Sequence, residues 1–280
     1  MRKNVLVMPV VKWVGGKRQL IEELKSFLPA KINSYCEPFI GGGALLFELQ
    51  PSKAYVNDIN HELIQMYEVI RDDVEELIKE LRKHPNIAEH FYEVRDWDRD
   101  KNDYGDMGIV KKAARIIYLN KTCYNGLFRV NSSGEFNTPF GYYKNPNIVN
   151  ESVLRAVSLY FNNANIQFIC KDYGEILKKI GKSTFVYLDP PYDPVSDTSS
   201  FTGYSKSGFN RNEQIRLKEH CDFLNSKGIK FMLSNSGTDF IKELYSGYDI
   251  KIVKAKRSIN SRGDGRGQVE EVVVRNYEER

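Results

Sequence analysis

The sequence contains few cysteines, few histidines and no apolar stretch of the length that spans a bilayer. The four cysteines include no CxxC pair, which favours reduced packing residues over disulfides or zinc ligands. They are Cys36, Cys123, Cys170 and Cys221. The four histidines also lack the spacing of metal ligands, so we predict no metal site. Only a short apolar run follows the N-terminal residues, and we expect a cytoplasmic protein with no cleaved signal and no membrane contact.

The chain also lacks a strong charge of either sign, since its formal net charge is only +4. The distribution is more informative, because the segment 111–144 is basic and Glu135 is its only acid. Local basic surface attracts a polyanion even where the total charge is modest. Its basic residues are Lys111, Lys112, Arg115, Lys121, Arg129 and Lys144. The segment predicts a nucleic-acid contact, with a solvated helix face and a basic loop as the alternative.

Short apolar runs that end in polar loops predict the strands of one mixed sheet. The runs are 34–39, 54–57, 166–170, 184–188, 229–233, 250–253 and 269–274. Amphipathic helices between several of them predict a doubly wound α/β fold. Two predicted buried helix faces comprise Leu20, Leu24, Phe27 and Leu28, and Ile215, Leu217, Cys221 and Leu224.

Between about residues 61 and 161 the strand signal disappears and helical patterns dominate. Predicted helices there cover 62–70, 74–83 and 110–119, before a Gly- and Asn-rich loop that reaches residue 143. A chain of 280 residues suits one large domain with a sizeable insertion. We interpret 61–161 as an inserted domain that separates the two parts of the main domain, 1–60 and 162–280.

The most informative motif is Asp189-Pro190-Pro191-Tyr192, hereafter the DPPY turn, which directly follows the apolar run 185–188. Proline cannot donate to a sheet ladder, so the chain must leave the sheet there. The motif should therefore lie at the carboxyl edge, where open α/β sheets bind ligands.

The DPPY turn suits the methylation of a planar amine. An exocyclic amine on adenine or cytosine is a weak nucleophile because its lone pair is delocalised into the ring. The Asp189 carboxylate and the Pro190 carbonyl can accept its two protons, and such acceptors stabilise charge as it develops. Tyr192 offers a face on which a base can stack. The alternative is an ordinary Asp-Pro turn with a packed tyrosine.

The glycine cluster 41–43 indicates a second ligand site, because glycine lets the backbone approach a nucleotide-like ligand closely. Asp58, at the end of the next predicted strand, can accept hydrogen bonds from ribose hydroxyls. Asp172 can bind an adenine edge or cap the following helix. The segment 15–17 lacks the spacing of a phosphate-binding Walker loop, so S-adenosylmethionine suits this site better than ATP.

The segment 120–143 predicts a helix end followed by a glycine-turned hairpin with one arginine, Arg129, and many aromatic residues. A guanidinium on a rigid hairpin can bind guanine O6 and N7 bidentately. Aromatic side chains can also wedge into a base stack or fill the gap left by an extruded base. The alternative is a loop whose aromatic residues only seal its own small core.

Taken together, several ordered motifs resemble the Dam-type DNA adenine-N6 methyltransferases of the alpha group, particularly DpnM-like GATC methylases of restriction-modification systems. The motifs are KWVGGK (12–17), EPFIGGG (37–43), NDIN (57–60), KDY (171–173), DPPY (189–192), LSNS (233–236) and VVVRNY (272–277). The resemblance implies a Rossmann-like, S-adenosylmethionine-dependent sheet with a target-recognition domain at 61–161. It implies methyl transfer to adenine N6 in duplex DNA, at GATC, by base flipping.

The resemblance also assigns roles to individual residues. The catalytic set that it implies is Asp189, Pro190, Pro191 and Tyr192. The cofactor contacts that it implies are Trp13, Lys17, Pro38, Phe39, Gly41, Gly43, Asp58, Asp172 and Asp189. The DNA contacts that it implies are Lys12, Tyr124, Asn125, Leu127, Arg129, Pro139 and Tyr143, with Lys12 reading the outer guanine. Tyr142 departs from the family pattern, which carries arginine there, and this puts one phosphate or flanking contact in doubt.

Other interpretations stay open at this point. The substrate amine could belong to cytosine N4, RNA or a protein glutamine. A glycine turn followed by Asp58 is also compatible with a dinucleotide-dependent oxidoreductase, and the basic hairpin with a catalytically silent DNA-binding module.

A cognate restriction endonuclease could act on the same site without direct contact. The loop 201–209 could close over a flipped base, and Arg257, Arg262 and Arg266 could contact phosphates.

Overall fold

The computed structural model describes residues 3–13, 15–195, 209–256 and 268–278. They form two compact units. The first unit comprises Met1–Gly16, Gly41–Ser52 and Asn60–Cys170, and the second comprises Lys17–Ile40, Lys53–Ile59 and Lys171–Arg280. The predicted closing loop at 201–208 and the arginines at 257, 262 and 266 lie outside the described residues.

The strands β1 to β7 are Ser34–Glu37, Lys53–Asn57, Asn165–Ile169, Thr184–Leu188, Phe231–Ser236, Asp249–Lys256 and Gln268–Arg275. They form a seven-stranded sheet in the order β3-β2-β1-β4-β5-β7-β6. Strand β1 pairs in parallel with β2 and β4, and β4 pairs in parallel with β5. Strand β7 is antiparallel to both β5 and β6. The mixed α/β sheet of a Rossmann-like methyltransferase is therefore confirmed.

The α-helices of the described residues, α1 to α11, follow in chain order. They are Ile21–Ser26, Ala44–Leu49, His61–Asp72, Val74–Leu81, Ala88–Asp96, Lys101–Asp106, Ile109–Thr122, Glu151–Asn163, Tyr173–Leu177, Arg211–Ser226 and Asp239–Leu244. Helices α3 to α8 fill the region 61–161, where the only β pairs are the isolated bridges Cys123–Phe140 and Val130–Phe136. No helix in the described ranges has the length and apolar character needed to cross a membrane.

Several strands end at other residues than predicted, and for β1 and β5 the physical reason is clear. Strand β1 stops at Glu37 because Pro38, which follows, has no N–H to donate. Strand β5 begins at Phe231 and extends to Ser236, beyond the apolar run that predicted it. Its polar end remains in the sheet because it pairs with β7 as far as Ser236.

The predicted buried face of α10 was wrong at one position. Ile215 is 42% exposed, whereas Leu217, Cys221 and Leu224 are fully buried. The neighbouring Gln214 is 1% exposed and takes the place that the apolar pattern assigned to Ile215. Positions 214, 217, 221 and 224 follow the three- and four-residue spacing that places side chains on one face of a helix, and this face is toward the core. Position 215 is rotated away from that face. On α1, Leu24 is buried as predicted, and Leu20 is buried just before the helix.

Candidate functional site

The DPPY turn leaves β4, whose five residues are all buried. Lys17 is only 4% exposed, and its Nζ lies 3.0 Å from Asp189 Oδ1 and 4.5 Å from the centre of the Tyr192 ring. A cation above an aromatic face is attracted by the ring quadrupole. The buried ammonium thus holds the two predicted catalytic side chains on either side of it.

The Asp189 carboxylate retains unused acceptor capacity. Its side chain is 20% exposed, and its buried Oδ1 forms an ion pair with Lys17, which leaves further lone pairs of the carboxylate for a ligand. Burial raises the pKa of this carboxyl, and the charge of Lys17 offsets only part of that rise. No donor in the described part of the chain reaches the Pro190 carbonyl. Two acceptors at the turn therefore remain for a ligand.

The Tyr192 ring is anchored at its far end. Its hydroxyl donates to Glu271 Oε2 on β7 at 2.8 Å. Burial, followed by the charges of Asp189 and Glu271, raises the pKa of the phenol well above its ordinary value. The phenol therefore stays protonated, and the hydrogen bond keeps its direction at neutral pH.

In the second unit, Asn57 joins three predicted cofactor segments. Its Nδ2 donates to Pro38 O at 2.9 Å and to Lys171 O at 3.1 Å, and its Oδ1 accepts from Lys171 N at 2.9 Å. Asp58 and Asp172 each follow one of these bonded residues in the chain. The sequence did not single out this buried amide, although it stands in the NDIN motif.

Asp172 caps a helix, as one of the two readings of the sequence predicted. Its Oδ1 accepts from Gly174 N at 2.9 Å at the start of α9 and pairs with Arg216. Burial raises the pKa of this carboxyl, but the bonds from Arg216 and Gly174 N together with the charge of Arg216 outweigh it and leave the pKa low. Nearby, the rings of Phe39 and Tyr173 lie 5.1 Å apart. The cofactor role of Asp172 stays a prediction.

In the first unit, Trp13 covers the glycine cluster. Gly41 has a φ of +45°, and a Cβ there would lie 2.6 Å from Trp13 Cδ1. The indole also stacks on Phe128 with ring centres 5.0 Å apart. Gly43, also left-handed, precedes α2. Glycine is therefore required at position 41 because the indole occupies the space of a side chain.

The predicted hairpin forms, and Lys12 lies against it. Tyr124 N donates to Pro139 O at 2.8 Å across the two arms. Lys12 N donates to Asn120 Oδ1 at 2.8 Å, and a Cβ on Gly126 would lie 2.7 Å from Lys12 Cδ. The structure thus brings Lys12 together with the predicted DNA contacts of the hairpin.

Arg129 projects from the hairpin in a fixed orientation. Its Nε donates to Asn137 Oδ1 at 2.8 Å, and its Nη2 approaches Asn137 O at 3.4 Å. One edge of the guanidinium is therefore held by Asn137. Within the described residues Nη1 has no partner, so the opposite edge is available to a ligand.

One member of the predicted basic surface is buried. Arg115 is 1% exposed, and its Nη2 lies 2.7 Å from Asp98 Oδ2. The same oxygen of Asp98 accepts from Phe136 N at 2.8 Å. Arg115 therefore supports the hairpin from inside, and the prediction that it adds surface charge was wrong.

Four polar residues outside the predicted set bond to members of it or to the residue that follows the DPPY turn. Asn137 holds Arg129, and Glu271 holds Tyr192. Gln214 and Asn235 bond to the backbone around the DPPY turn. Sequence signals existed only for Asn235, in the LSNS motif, and for Glu271, an acid beside the apolar run 272–274. No group of metal-binding side chains occurs within the described ranges.

A sequence model of the D12 class N6 adenine-specific DNA methyltransferases matches residues 13–259. The Type II methyltransferase M1.LlaDCHI of Lactococcus lactis subsp. cremoris is 42% identical, with 99% of this chain and 98% of that protein covered. The Type II methyltransferase M.MjaIII of Methanocaldococcus jannaschii is 43% identical, with 97% and 99% covered. The DNA adenine methylase of Escherichia coli strain K12 is 32% identical, with 98% and 96% covered.

These similarities extend over nearly the whole chain and confirm the predicted resemblance. They establish an enzyme that acts on adenine N6 of DNA, which removes the alternatives of another amine, an oxidoreductase and a silent binding module. A methyltransferase of this class implies S-adenosylmethionine as the methyl donor. The chain belongs to the D12 class N6 adenine-specific DNA methyltransferase family.

Proposed function

We propose that this enzyme methylates the adenine of GATC in duplex DNA after rotating that base out of the helix. The proposal rests on the DPPY turn, where the Asp189 carboxylate, paired with Lys17 through one oxygen, and the Pro190 carbonyl keep lone pairs for a ligand beside the anchored Tyr192 ring. An amine inside a base stack cannot reach such a buried pair, and enzymes that modify a base extrude it. The stacking of the flipped adenine on Tyr192 would contribute about 1–3 kcal/mol.

In this mechanism Asp189 and the Pro190 carbonyl accept the two amine protons and orient the lone pair toward the methyl group. S-adenosylmethionine supplies an electrophilic methyl on a sulfonium. Positioning and charge stabilisation provide most of the rate, and the methylated amine, once cationic, is acidic enough to lose its proton afterwards. Asp189 therefore need not act as a strong base.

We propose that the donor is held by the predicted cofactor set, and that 61–161 serves as the target-recognition domain. The donor carries ammonium and hydroxyl groups that donate hydrogen bonds, and the Asp189 carboxylate keeps lone pairs beyond the one that faces Lys17. The bonds from Asn57 to Pro38 O and Lys171 O hold these three residues together. Because Asp58 follows Asn57 and Asp172 follows Lys171, these bonds support a shared site for Pro38, Asp58 and Asp172. The proposed donor contacts are Trp13, Lys17, Pro38, Phe39, Gly41, Gly43, Asp58, Asp172 and Asp189.

The 120–143 hairpin supports GATC as the site. The open edge of Arg129 carries two donors in the geometry that guanine O6 and N7 accept. Lys12 adds a second cation on the same unit. The proposed DNA contacts are Lys12, Tyr124, Asn125, Leu127, Arg129, Pro139 and Tyr143.

Asn137→Ala should weaken sequence discrimination without abolishing transfer. It removes the acceptor that orients Arg129 Nε, and such a bond to a charged group at a half-exposed site is worth about 1 kcal/mol. We expect the ratio of kcat/KM on GATC duplex to kcat/KM on a duplex with one guanine replaced to fall about five-fold. Asn137→Asp keeps the acceptor and should preserve the ratio. An unchanged ratio in Asn137→Ala would contradict the orienting role.

Lys17→Met should move the acid limb of the pH profile upward. Protonation of Asp189 removes an acceptor, so transfer falls as pH drops through the pKa of that carboxyl. Burial already raises this pKa, and Lys17 opposes the rise. Without the cation, the pKa rises further and activity is lost at a higher pH. The test is the pH dependence of kcat/KM for the methyl donor, which reports on the free enzyme. Lys79→Met, at an exposed lysine of α4, is the matched control.

The proposed function is tested by transfer of labelled methyl groups to a panel of duplexes, followed by mapping of the modified base. We expect the label in N6-methyladenine of GATC. We also expect the label to be lost when any of the four bases is changed. Equal labelling of a changed site would reject the specificity.

We place the enzyme in the cytoplasm with its DNA. We also propose that a cognate endonuclease cleaves the unmethylated site without contacting this enzyme.

A further inference from the structure

Behind the DPPY turn lies a network of buried polar side chains that the mechanism above does not use. Asn235 is 0% exposed, Gln214 is 1% exposed and Asp193 is 2% exposed. Burying an amide or a carboxylate costs free energy unless hydrogen bonds replace those to water. Here they do, and the bonds converge on the backbone around Tyr192.

Gln214 and Asn235 bind the peptide groups on both sides of Tyr192. Gln214 Nε2 donates to Pro191 O at 2.8 Å. Asn235 Oδ1 accepts from Asp193 N at 3.1 Å. The two amides also bond to each other, because Asn235 Nδ2 donates to Gln214 Oε1 at 3.0 Å.

These bonds fix the backbone torsions of Tyr192. The Pro191 carbonyl belongs to the peptide plane before Tyr192, and the Asp193 N–H belongs to the plane after it. Holding the first plane restrains φ, and holding the second restrains ψ. Since the two amides are bonded to each other, α10 and β5 set both torsions together. The Pro191 carbonyl is also kept occupied, while the Pro190 carbonyl stays available.

Asp193 secures the end of the turn. Ser236 Oγ donates to Asp193 O at 2.7 Å, and Thr238 Oγ1 donates to Asp193 Oδ2 at 2.8 Å. Arg211 Nε lies 3.1 Å from Asp193 Oδ1. Glu271 holds the phenol at the other end of Tyr192. The ring is therefore constrained through its backbone, its hydroxyl and the residue that follows it.

We infer that Gln214 and Asn235 are positioning residues that hold the Tyr192 ring in the orientation required for methyl transfer. This inference rests on the proposed role of the DPPY turn. Neither side chain would touch DNA or donor, because both are buried behind the turn. A network that served folding alone would lower stability when broken, but its effect on rate would be independent of Tyr192.

The test is a double-mutant cycle on the full-length enzyme, read as the single-turnover rate of methyl transfer to a duplex with one GATC site. Gln214→Met keeps the side-chain volume and removes both hydrogen bonds, and Tyr192→Leu removes the ring that is positioned. We expect Gln214→Met alone to slow transfer about ten-fold or more, since small misplacements of reacting groups have large effects. In the Tyr192→Leu background it should slow transfer by less than about three-fold, because coupled residues are not additive.

Cys221→Ala is the matched control, since Cys221 is on the same helix and 0% exposed, and its side chain interacts with Tyr245 instead of with the turn. It should leave the rate within about two-fold of the wild type, and thermal unfolding compares the stability of all variants. Should Gln214→Met fail to fold, Asn235→Leu, which is similar in shape and adds no buried charge, removes the bonds that Asn235 makes to Asp193 N and Gln214. Equal slowing in both backgrounds, or no slowing, would overturn the inference. An unchanged rate in Tyr192→Leu would instead reject the proposed role of the turn.

Discussion

Asp189→Ala is expected to reduce the single-turnover rate of methyl transfer by about 100-fold or more while duplex binding largely persists. The substitution removes one of two acceptors that orient the amine, and preorganised groups of this kind are worth a few kcal/mol of barrier each. DNA affinity should persist because the proposed DNA contacts lie in the first unit, whereas Asp189 lies in the second.

Stability complicates this experiment. Lys17 is 4% exposed and lies 3.0 Å from Asp189 Oδ1, so Asp189→Ala removes the carboxylate beside a buried ammonium. Removing one partner of a buried ion pair typically costs about 3–5 kcal/mol, although the 20% exposure of Asp189 lowers that figure here. The double variant Lys17→Met/Asp189→Ala removes both charges and should melt at a higher temperature than Asp189→Ala.

Asp189→Asn separates catalysis from folding. It keeps the shape and one acceptor oxygen but loses the negative charge, so we expect transfer to fall less than in Asp189→Ala. Single-turnover transfer, thermal melting and duplex binding should be measured on all three variants. Undiminished transfer in a folded Asp189→Ala would reject the mechanism.

Arg129→Ala is expected to remove discrimination at one guanine of the site. A bidentate arginine–guanine contact is worth about 1–3 kcal/mol, so the specificity ratio should fall between about 5-fold and 150-fold. The effect should exceed that of Asn137→Ala, because Asn137 only orients the guanidinium. The measurement is kcat/KM on GATC duplex against duplexes with each base pair changed in turn.

Arg155→Ala provides the control for Arg129. Arg155 is an exposed arginine of the same unit, and its guanidinium is already paired with Glu75 and Glu151. Its removal should leave the specificity ratio unchanged. If Arg129→Ala weakened every duplex equally, Arg129 would be a phosphate contact and would carry no sequence information.

Much of the fold was predictable because its determinants are local. Proline cannot donate to the ladder of a strand that is paired on both sides, so the DPPY turn had to leave β4 at the carboxyl edge of the sheet. Apolar periodicity predicted the strands and five of the eleven α-helices of the described residues, α1, α3, α4, α7 and α10, for the same reason. The apolar pattern was wrong at one position of α10, where a buried glutamine took the place of Ile215. An apolar pattern cannot anticipate a polar residue that is buried because distant partners bond to it.

The sequence by itself determined the motifs, their order and the positions of the strands. Turns and strands depend on backbone sterics and side-chain periodicity, which act between residues close together in the chain. The placement of Lys17 between Asp189 and Tyr192 was decided by the tertiary structure. So were the clamp of Gln214 and Asn235 and the burial of Arg115 under the hairpin. These pairs join residues far apart in sequence, and only the packing of helices against the sheet or hairpin brings their atoms within hydrogen-bond distance.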